Sequence, residues 1–396
     1  MAASIFSAEY ERIFKKTWPP ITGAVLLAVA SIYMYMFMRP WGVYDGIVNW
    51  GDNVFAALGL IEGPITPPMQ FSTSISCIGL FAGAVVAALL ASKGGIHLVR
   101  PRDYAFGIVG GALMGFGGTL ARGCNVGGFY TSFAAFSAAA PLMMIGLFAG
   151  AYLGTHFYLF DLGNHPRPPA GYSSKSFFAG ATSKKIQPLL GLGLLVALLF
   201  WALSDDFDVS YEGISAKRGL FFLIAAFMGF VMHRSHFCFA RAFREPFMSG
   251  DGKMSRAVAV SLLLVFMGGL MIKGTDLEDL RYASFFVNPS VWAGSLVGGL
   301  IFGFGMVVAG GCASGSIWRA AEGQIRLILA LVAFALVSAA TQRWLAAEDL
   351  MGLLGKAVFI PDLMGWGLGI ALFLAIPVVW YFLTLYNEKH NTFVID

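Results

Sequence analysis

Two glycine-rich segments that each contain a cysteine carry the clearest chemical signal in this chain. Residues 110–128 read GGALMGFGGTLARGCNVGG, and residues 298–316 read GGLIFGFGMVVAGGCASGS. They align without a gap at an offset of 188 residues (312 minus 124), with nine of 19 positions identical. A protonated thiol is an uncharged, weak hydrogen-bond donor. The pattern therefore indicates two related halves that each bring one cysteine, Cys124 or Cys312, to a shared place.

Each cysteine is followed by residues that favour a break in a helix. Asn-Val-Gly-Gly follows Cys124 and Ala-Ser-Gly-Ser follows Cys312. A break exposes backbone N–H groups at the start of the next half-helix, where the helix dipole favours anions. The alternative is a seam of small residues that packs helices closely, which is the better interpretation for the other glycines of these helices. For the two thiol-bearing breaks we favour a functional role over a packing role. The candidate pathway residues beside the thiols are Gly123, Asn125, Gly311 and Ser314.

A third thiol lies in a basic segment. Residues 233–245 read HRSHFCFARAFRE, which surrounds Cys238 with two histidines and three arginines. Charged groups near membrane depth are costly and usually face a pathway or a partner. Arg234 is a candidate to bind an anion or to pair with a carboxylate, whereas Arg244 fits an ordinary interfacial residue. In the first half Arg39 matches Arg234, but valine matches Cys238, so only the second half keeps this thiol.

Arg122 precedes Cys124 by two residues, where the other copy has Gly310. A buried arginine there would offer five donors in a fixed geometry to an oxyanion. It could equally reach a carboxylate or exposed carbonyls, and both interpretations remain open. Cys77 has no counterpart in the second half, and a buried cysteine is commonly a small hydrophobic residue, so it is left outside the candidate site.

Other chemistries find no support in the sequence. The four cysteines show neither a CxxC pair nor zinc-ligand spacing, the six histidines form no ligand set, and no disulfide framework is indicated. Nucleotide-binding and haem-attachment motifs are missing, so we expect no metal, no cofactor and no enzymatic activity. A net charge of +4 spread over loops does not indicate a nucleic-acid partner.

The composition is that of a polytopic membrane protein. Of 396 residues, 58% are hydrophobic and 12% charged, and the mean hydropathy is +0.73. Apolar runs near the length needed to cross a bilayer predict an all-α fold with about ten crossings. We place them at 21–38, 75–92, 104–123, 141–160, 187–203, 219–236, 257–273, 292–311, 325–345 and 363–386.

The loop charges predict how the two repeats are oriented. Basic residues are in surplus in the N-terminal segment and at 93–103, 161–187 and 241–256, whereas 205–212 and 276–279 are acidic. The positive-inside rule then places both termini in the cytoplasm. A single crossing separates the repeats, so the two copies must run in opposite directions. This is an inverted-topology repeat with broken or re-entrant helices, as found in many transporters.

The predicted domain organisation follows from these crossings. It comprises a cytoplasmic N-terminal segment, a first transport repeat, a cytoplasmic linker, a connecting helix with an outer loop, a second inverted repeat, and a C-terminal helix with a cytoplasmic tail. The corresponding ranges are 1–18, 19–160, 161–186, 187–218, 219–345 and 346–396.

The three thiol motifs together resemble those of the YeeE/YedE family of sulfur-compound transporters. That family carries two G-F-G-x-x-x-A-G-G-C-x-x-G copies, which fit 115–127 (with Arg122 in place of glycine) and 303–315, and one R-x-x-F-C-x-x-x-A-F-R-[DE] motif, which fits 234–245. The resemblance implies a bacterial inner-membrane importer of thiosulfate or a related sulfur anion that works with a TusA-like cytosolic sulfur carrier. It also implies that Cys124, Cys238 and Cys312 are the pathway thiols. Arg122 places the chain nearer the YedE branch, which is associated with selenium or other sulfur metabolism.

We therefore expect a transporter that passes a small sulfur oxyanion along a pore by successive thiols. One alternative is a membrane sulfurtransferase that forms a cysteine persulfide, with His236 or Arg241 activating Cys238. Others are an importer of a selenium compound and a membrane scaffold for sulfur-carrier proteins.

Overall fold

The computed structural model describes residues 8–165, 181–211, 214–274 and 286–395. Most of the predicted 161–186 linker and the acidic residues 276–279 lie outside the described residues, as does the start of the N-terminal segment. A short π-helix (Glu11–Lys15) precedes the first long helix. Almost everything that follows is helical, apart from one antiparallel hairpin of β1 (Asp208–Tyr211) and β2 (Ile214–Lys217).

Each half of the chain contains the same series of six helical elements. In both halves the order of lengths is long, short, long, long, short, long. The first half has α1 (Pro20–Phe37), α2 (Tyr44–Ala57), α3 (Ser72–Leu90), α4 (Pro101–Leu120), a bent π and α segment (Asn125–Ala134) and α5 (Ala139–Asn164). After α6 (Ala181–Ser204) and the hairpin, the second half has α7 (Arg218–Ser235), α8 (Phe239–Met248), α9 (Lys253–Gly274), α10 (Ala293–Ala309), α11 (Ala313–Ala321) and α12 (Ile325–Ala347).

Two elements at the end of the chain have no counterpart in the repeats. A 3₁₀ turn (Leu350–Leu354) leads into α13 (Ile360–His390), which is kinked at Gly365. α13 covers the segment 125–134: the amide of Ile360 donates to the carbonyl of Phe136, and the rings of Phe133 and Phe373 lie 4.5 Å apart. The last helix thus holds the first break in place.

The long helices of one half pack against those of the other in reciprocal pairs. α5 packs on α10 and, correspondingly, α4 packs on α12; α3 packs on α7 and α1 on α9. When the two halves are exchanged, the contact of α5 with α10 becomes that of α12 with α4, and the contact of α3 with α7 becomes that of α9 with α1. The core is therefore built between the repeats rather than within either of them.

α4 and α10 run in opposite directions, which is the inverted arrangement that the sequence predicts. Along their interface Gly110 lies against Ala309, and Gly117 lies against Phe302. The residue numbers rise along one helix as they fall along the other. The prediction of an all-α membrane fold with an inverted repeat is thus confirmed.

Glycine is required at this interface because the two backbones touch. A Cβ on Gly110 would lie 2.3 Å from the amide nitrogen of Ala309, and a Cβ on Gly305 would lie 2.8 Å from the carbonyl oxygen of Gly110. The glycines predicted to form packing seams behave in the same way: a Cβ on Gly111 would lie 2.2 Å from the carbonyl oxygen of Ala330. Small residues are what permits such close approach between helices in a membrane.

Replacing Gly110 with alanine should destabilise the fold, since the new methyl group meets backbone that cannot move aside. Overpacking of this kind costs roughly 1–3 kcal/mol. The matched control is Gly193→Ala in α6, where a Cβ meets nothing within 4 Å and the same change should be neutral or stabilising by up to about 1 kcal/mol. Thermal unfolding of the two purified variants in one detergent measures the difference. Equal midpoints would contradict this packing.

The helix lengths agree with the predicted crossings. Among the described residues nine helices are long and apolar enough to span a membrane, and α4 with the bent segment 125–134 makes a tenth. The apolar runs of the sequence do not predict α2 and α8, because each helix is too short and too polar to register as a span. α2 contains Asp45, Asn49 and Asp52, and α8 contains three charged residues.

Both ends of the described chain lie on the same face of the molecule. Arg234, at the end of α7, donates to the backbone carbonyls of Ile13 and Lys16. Near the other terminus, the amide of Ile395 donates to the carbonyl of Phe247 at the end of α8. We call this surface the terminal face.

Candidate functional site

Cys124 and Cys312 have nearly identical surroundings, as expected for duplicated breaks. Their φ and ψ angles are −85° and −175° for Cys124, and −84° and 178° for Cys312. Each residue caps the short helix that follows, with its Sγ accepting from the amide of Val126 (3.4 Å) or Gly315 (3.3 Å). The breaks thus direct both thiols at the first turn of a half-helix, where amide groups are free of intrahelical partners.

Val43 and Cys238 hold the matching positions in the other pair of short helices. Val43 caps α2 and Cys238 caps α8, which agrees with their alignment in the sequence. Four short helices therefore begin at four equivalent places, and three of the four capping residues are cysteines. All four cysteines of the chain are free and buried.

Cys238 and Cys312 meet although they come from different parts of the second repeat. A Cβ on Gly315 would lie 2.9 Å from the Sγ of Cys312 and 3.1 Å from the Sγ of Cys238. Both sulfurs therefore lie within 3.1 Å of one point, and the two thiols face each other across it. Only glycine leaves this space open.

Cys124 occupies the corresponding place in the other repeat, beside the start of α2. α2 begins at Tyr44, whose hydroxyl donates to Thr119 (2.9 Å) near the end of α4, the helix that leads into the Cys124 break. Cys77 lies on the same side and donates to the carbonyl of Val43 (3.4 Å). The segment 125–134 and α11 contact each other, so the thiols of both repeats belong to neighbouring elements.

Buried polar groups surround these thiols. Asn125 is 0% exposed, and neither atom of its amide has a hydrogen-bond partner in the described structure. The hydroxyl of Ser314 lies 3.8 Å from the Sγ of Cys312, and the buried hydroxyl of Ser316 has no partner among the described residues. Buried polar groups are nearly always paired, so these side chains are available to a bound molecule.

The glycines before the thiols make the breaks tight. A Cβ on Gly123 would lie 2.5 Å from the amide nitrogen of Gly128, and a Cβ on Gly311 would lie 3.1 Å from the hydroxyl of Ser316. These two candidate residues therefore shape the turns rather than donate to a ligand through a side chain.

The structure places the two candidate arginines differently. Arg122 is half-buried and has a left-handed backbone (φ 48°) that matches Gly310 (φ 84°) in the other break. Its guanidinium has no partner within the described ranges, while its carbonyl accepts from Asn288. Arg234 is fully buried, and its hydrogen bonds go to the N-terminal segment rather than to the thiols.

A polar contact that the sequence analysis missed links α7 to α11. His233 lies at the end of α7, and its Nε2 is 2.9 Å from Oε1 of Glu322, just after α11. Burial is the largest single influence on the pKa of Glu322 and raises it, but the combined effects of His233, His236 and Lys93 outweigh burial, so the pKa of Glu322 lies below its ordinary value. The indole Nε1 of Trp318 also donates to the carbonyl of Phe237 (3.1 Å). These two contacts hold the segment that carries Cys238 against the segment that carries Cys312.

His233 and His236 do not share a helix face, because α7 ends at Ser235. His236 has left-handed backbone (φ 50°) and stacks on Trp318, with ring centroids 5.6 Å apart. In the described ranges no group of three or more potential ligands is arranged to hold a metal ion.

Comparison with known proteins identifies the family. The chain is 29% identical to the probable transporter YedE of Escherichia coli over 331 residues, which is 78% of this chain and 77% of that protein, and 28% identical to YedE of Salmonella typhimurium over the same shares. It is 33% identical to the thiosulfate transporter TsuA of Escherichia coli over 117 residues, 30% of this chain and 32% of TsuA. The profile described as "Sulphur transport" matches residues 3–153 and 234–395, and the chain therefore belongs to the sulphur transport family.

Proposed function

We propose that this protein imports thiosulfate or a related small sulfur anion, and that Cys124, Cys238 and Cys312 pass the anion through the membrane. The observation that carries the proposal is the meeting of the Cys238 and Cys312 sulfurs at one point beside Gly315. Cys124 occupies the equivalent break in the inverted repeat, and the anion would meet it before Cys238 and Cys312.

Neutral thiols suit such a pathway. An S–H group donates weakly to the terminal sulfur of the anion and adds no negative charge to repel it. Several weak sites in series allow the anion to enter and to leave, which conduction requires. The amide groups at the starts of the short helices, together with Asn125 and Ser314, supply donors for the oxyanion end.

The relatives support a transporter rather than an enzyme. YedE is named a probable transporter, and TsuA a thiosulfate transporter. A selenium compound is the second candidate substrate, because the motif resembles the YedE branch at Arg122, which stands where the other break has glycine. A sulfurtransferase remains the enzymatic alternative.

The location and the partner follow from the same proposal. The terminal face is the cytoplasmic side of a bacterial inner membrane, so both termini are cytoplasmic. The segments 93–103 and 241–256, which contain Arg100, Arg102 and Arg256, have the surplus of basic residues that the positive-inside rule expects on this side. A TusA-like sulfur carrier would receive the anion there.

In this conformation the three thiols are 0% exposed. Passage therefore requires the short helices to move apart around the breaks. Broken helices at membrane depth are the elements that permit such movement without unfolding a span.

Uptake of radiolabelled thiosulfate into proteoliposomes tests the proposal. Purified protein should accelerate uptake, and among thiosulfate, sulfite, sulfate, selenite and tetrathionate the transported anion should raise the thermal unfolding midpoint most, since a ligand that binds the folded state stabilises it. Mass spectrometry of the protein after turnover separates transport from sulfur transfer. A retained extra sulfur atom on one cysteine, with no uptake, would establish the enzymatic alternative.

A further inference from the structure

A basic cavity opens beside the Cys312 break, outside the set of thiols. Its volume is about 290 Å³, and its wall includes the backbone of Gly310 and three arginines, Arg244, Arg319 and Arg326. The remaining lining residues are apolar or neutral: Tyr158, Met248, Val307, Ala309, Gln324 and Leu327.

The cavity lining carries positive charge without a carboxylate of its own. Arg244 is paired with Glu245 (2.6 Å), and Arg326 lies 3.9 Å from Asp103. Two of the three arginines therefore have an acidic neighbour that does not itself line the cavity. Arg319 instead donates to the carbonyl of Gly310 (2.7 Å) and lies 5.0 Å from the ring of Trp318. At least one positive charge is therefore left for a ligand.

The arginines are fixed by the same break that positions Cys312. Arg319 holds the carbonyl of Gly310, and Arg326 donates to the carbonyl of Val308 (2.6 Å). Gly310 lies two positions before Cys312. An anion that leaves the thiols on this side thus enters a cavity whose donors are already oriented.

At the equivalent positions of the first repeat the three arginines are replaced by uncharged residues. With the offset of 188, Arg319 corresponds to Thr131 (319 minus 188) and Arg326 to Ala138 (326 minus 188). The caps of α2 and α8 give an offset of 195 (238 minus 43), with which Arg244 corresponds to Asn49 (244 minus 195). The repeats agree in backbone but differ in charge at this position. The two breaks thus carry their arginines at different positions, since Arg122 stands in the first repeat where the cavity has Gly310.

We propose that this cavity is a binding site for the sulfur anion on the terminal face, where a divalent oxyanion is held by guanidinium groups after it leaves Cys238 and Cys312. This inference rests on the proposed function. The thiols recognise the terminal sulfur, and the arginine cavity recognises the two negative charges. Arginine suits the second task because its donors match the oxygens of an oxyanion.

Sulfate is the probe, since it carries the same charge as thiosulfate but has no terminal sulfur. Sulfate binding to the full-length protein is measured by calorimetry at low and high salt. Arg319→Gln and Arg244→Gln should each weaken binding about tenfold or more, the factor expected from the loss of one charge-assisted hydrogen bond. Arg244→Gln leaves the break undisturbed, because the hydrogen bond of Arg244 goes to Glu245 rather than to backbone. The control is Arg102→Gln, an exposed arginine on the same face that does not line the cavity, and it should bind sulfate as the unaltered protein does.

The double variant Cys238→Ala, Cys312→Ala separates this inference from the proposed function. It should still bind sulfate with unchanged affinity, and in membrane vesicles of the unaltered protein sulfate should inhibit thiosulfate movement from the terminal face only. Unchanged binding in Arg319→Gln and Arg244→Gln, or equal inhibition from both faces, would overturn the cavity as the site. If sulfate binds here while uptake does not depend on the thiols, the inference survives and the relay fails.

Discussion

Gly315→Ala is expected to abolish most thiosulfate uptake while leaving the protein folded. The added methyl group would lie 2.9 Å and 3.1 Å from the two sulfurs, a separation shorter than van der Waals contact, so the thiols must turn away from each other. The backbone tolerates alanine, because Gly315 lies inside α11 and is not among the glycines of positive φ. A helical alanine is favoured over glycine by roughly 0.5–1 kcal/mol. Initial uptake rates in proteoliposomes and the unfolding midpoint are measured on the same preparation.

The matched control is Gly127→Ala, the same change at the equivalent position of the first repeat (315 minus 188 is 127). A Cβ on Gly127 meets nothing within 4 Å, so uptake should stay near that of the unaltered protein. Loss of uptake in both variants would show that the thiol contact is not the cause. Normal uptake in Gly315→Ala would show that the anion does not pass between these sulfurs.

Removal of any one of the three pathway thiols should slow uptake by about tenfold or more. Each of Cys124→Ala, Cys238→Ala and Cys312→Ala removes a donor that the anion needs once it has lost its water, and an unmade hydrogen bond to a buried group costs about 1–3 kcal/mol. A barrier higher by about 1.4 kcal/mol corresponds to a tenfold slower step. Uptake at a substrate concentration well below saturation measures the effect.

Cys77→Ala is the matched control for these three substitutions. Cys77 is buried to the same extent, but it donates to the carbonyl of Val43 and caps no short helix. Its loss should therefore affect stability more than uptake. If Cys77→Ala stopped uptake while the other three variants transported normally, the assignment of the pathway would be wrong.

The sequence contained enough information to predict the inverted arrangement. The offset between the two copies and the alternation of basic and acidic loops together required opposite directions, and the antiparallel contacts of Gly110 and Gly117 agree. Backbone close approach explains why these positions are glycine in both copies. Periodicity and loop charge are properties of single segments, which is why they can be read without a structure.

The convergence of side chains could not be predicted in this way. The contact of Cys238 with Cys312 joins residues 74 positions apart (312 minus 238), and the role of Gly315 exists only because of it. The short helices α2 and α8 were not predicted, because their polar residues lower the mean hydropathy of any window long enough to detect a membrane span. Arg319 and Arg326 lie outside every motif, and only the packing of α11 against α12 brings them to one cavity.

Arg234 has a structural contact that the sequence does not indicate. From the sequence it is a candidate to bind an anion or to pair with a carboxylate, because a charge near membrane depth usually faces a pathway or a partner. In the structure its Nε and Nη2 donate to the carbonyls of Ile13 and Lys16, while its buried Nη1 has no partner among the described residues. That arrangement favours a structural role for Arg234 in anchoring the N-terminal segment.

Reaction of the thiols with a small anionic thiosulfonate reagent tests whether the anion passes these cysteines, because the reagent resembles the proposed substrate in size and charge. Mass spectrometry of vesicles that are actively transporting identifies which cysteines are modified. We expect modification of Cys124, Cys238 and Cys312, slowed by excess thiosulfate, with uptake lost in proportion. Continued uptake while these three thiols stay unmodified, or modification that thiosulfate does not slow, would contradict this expectation.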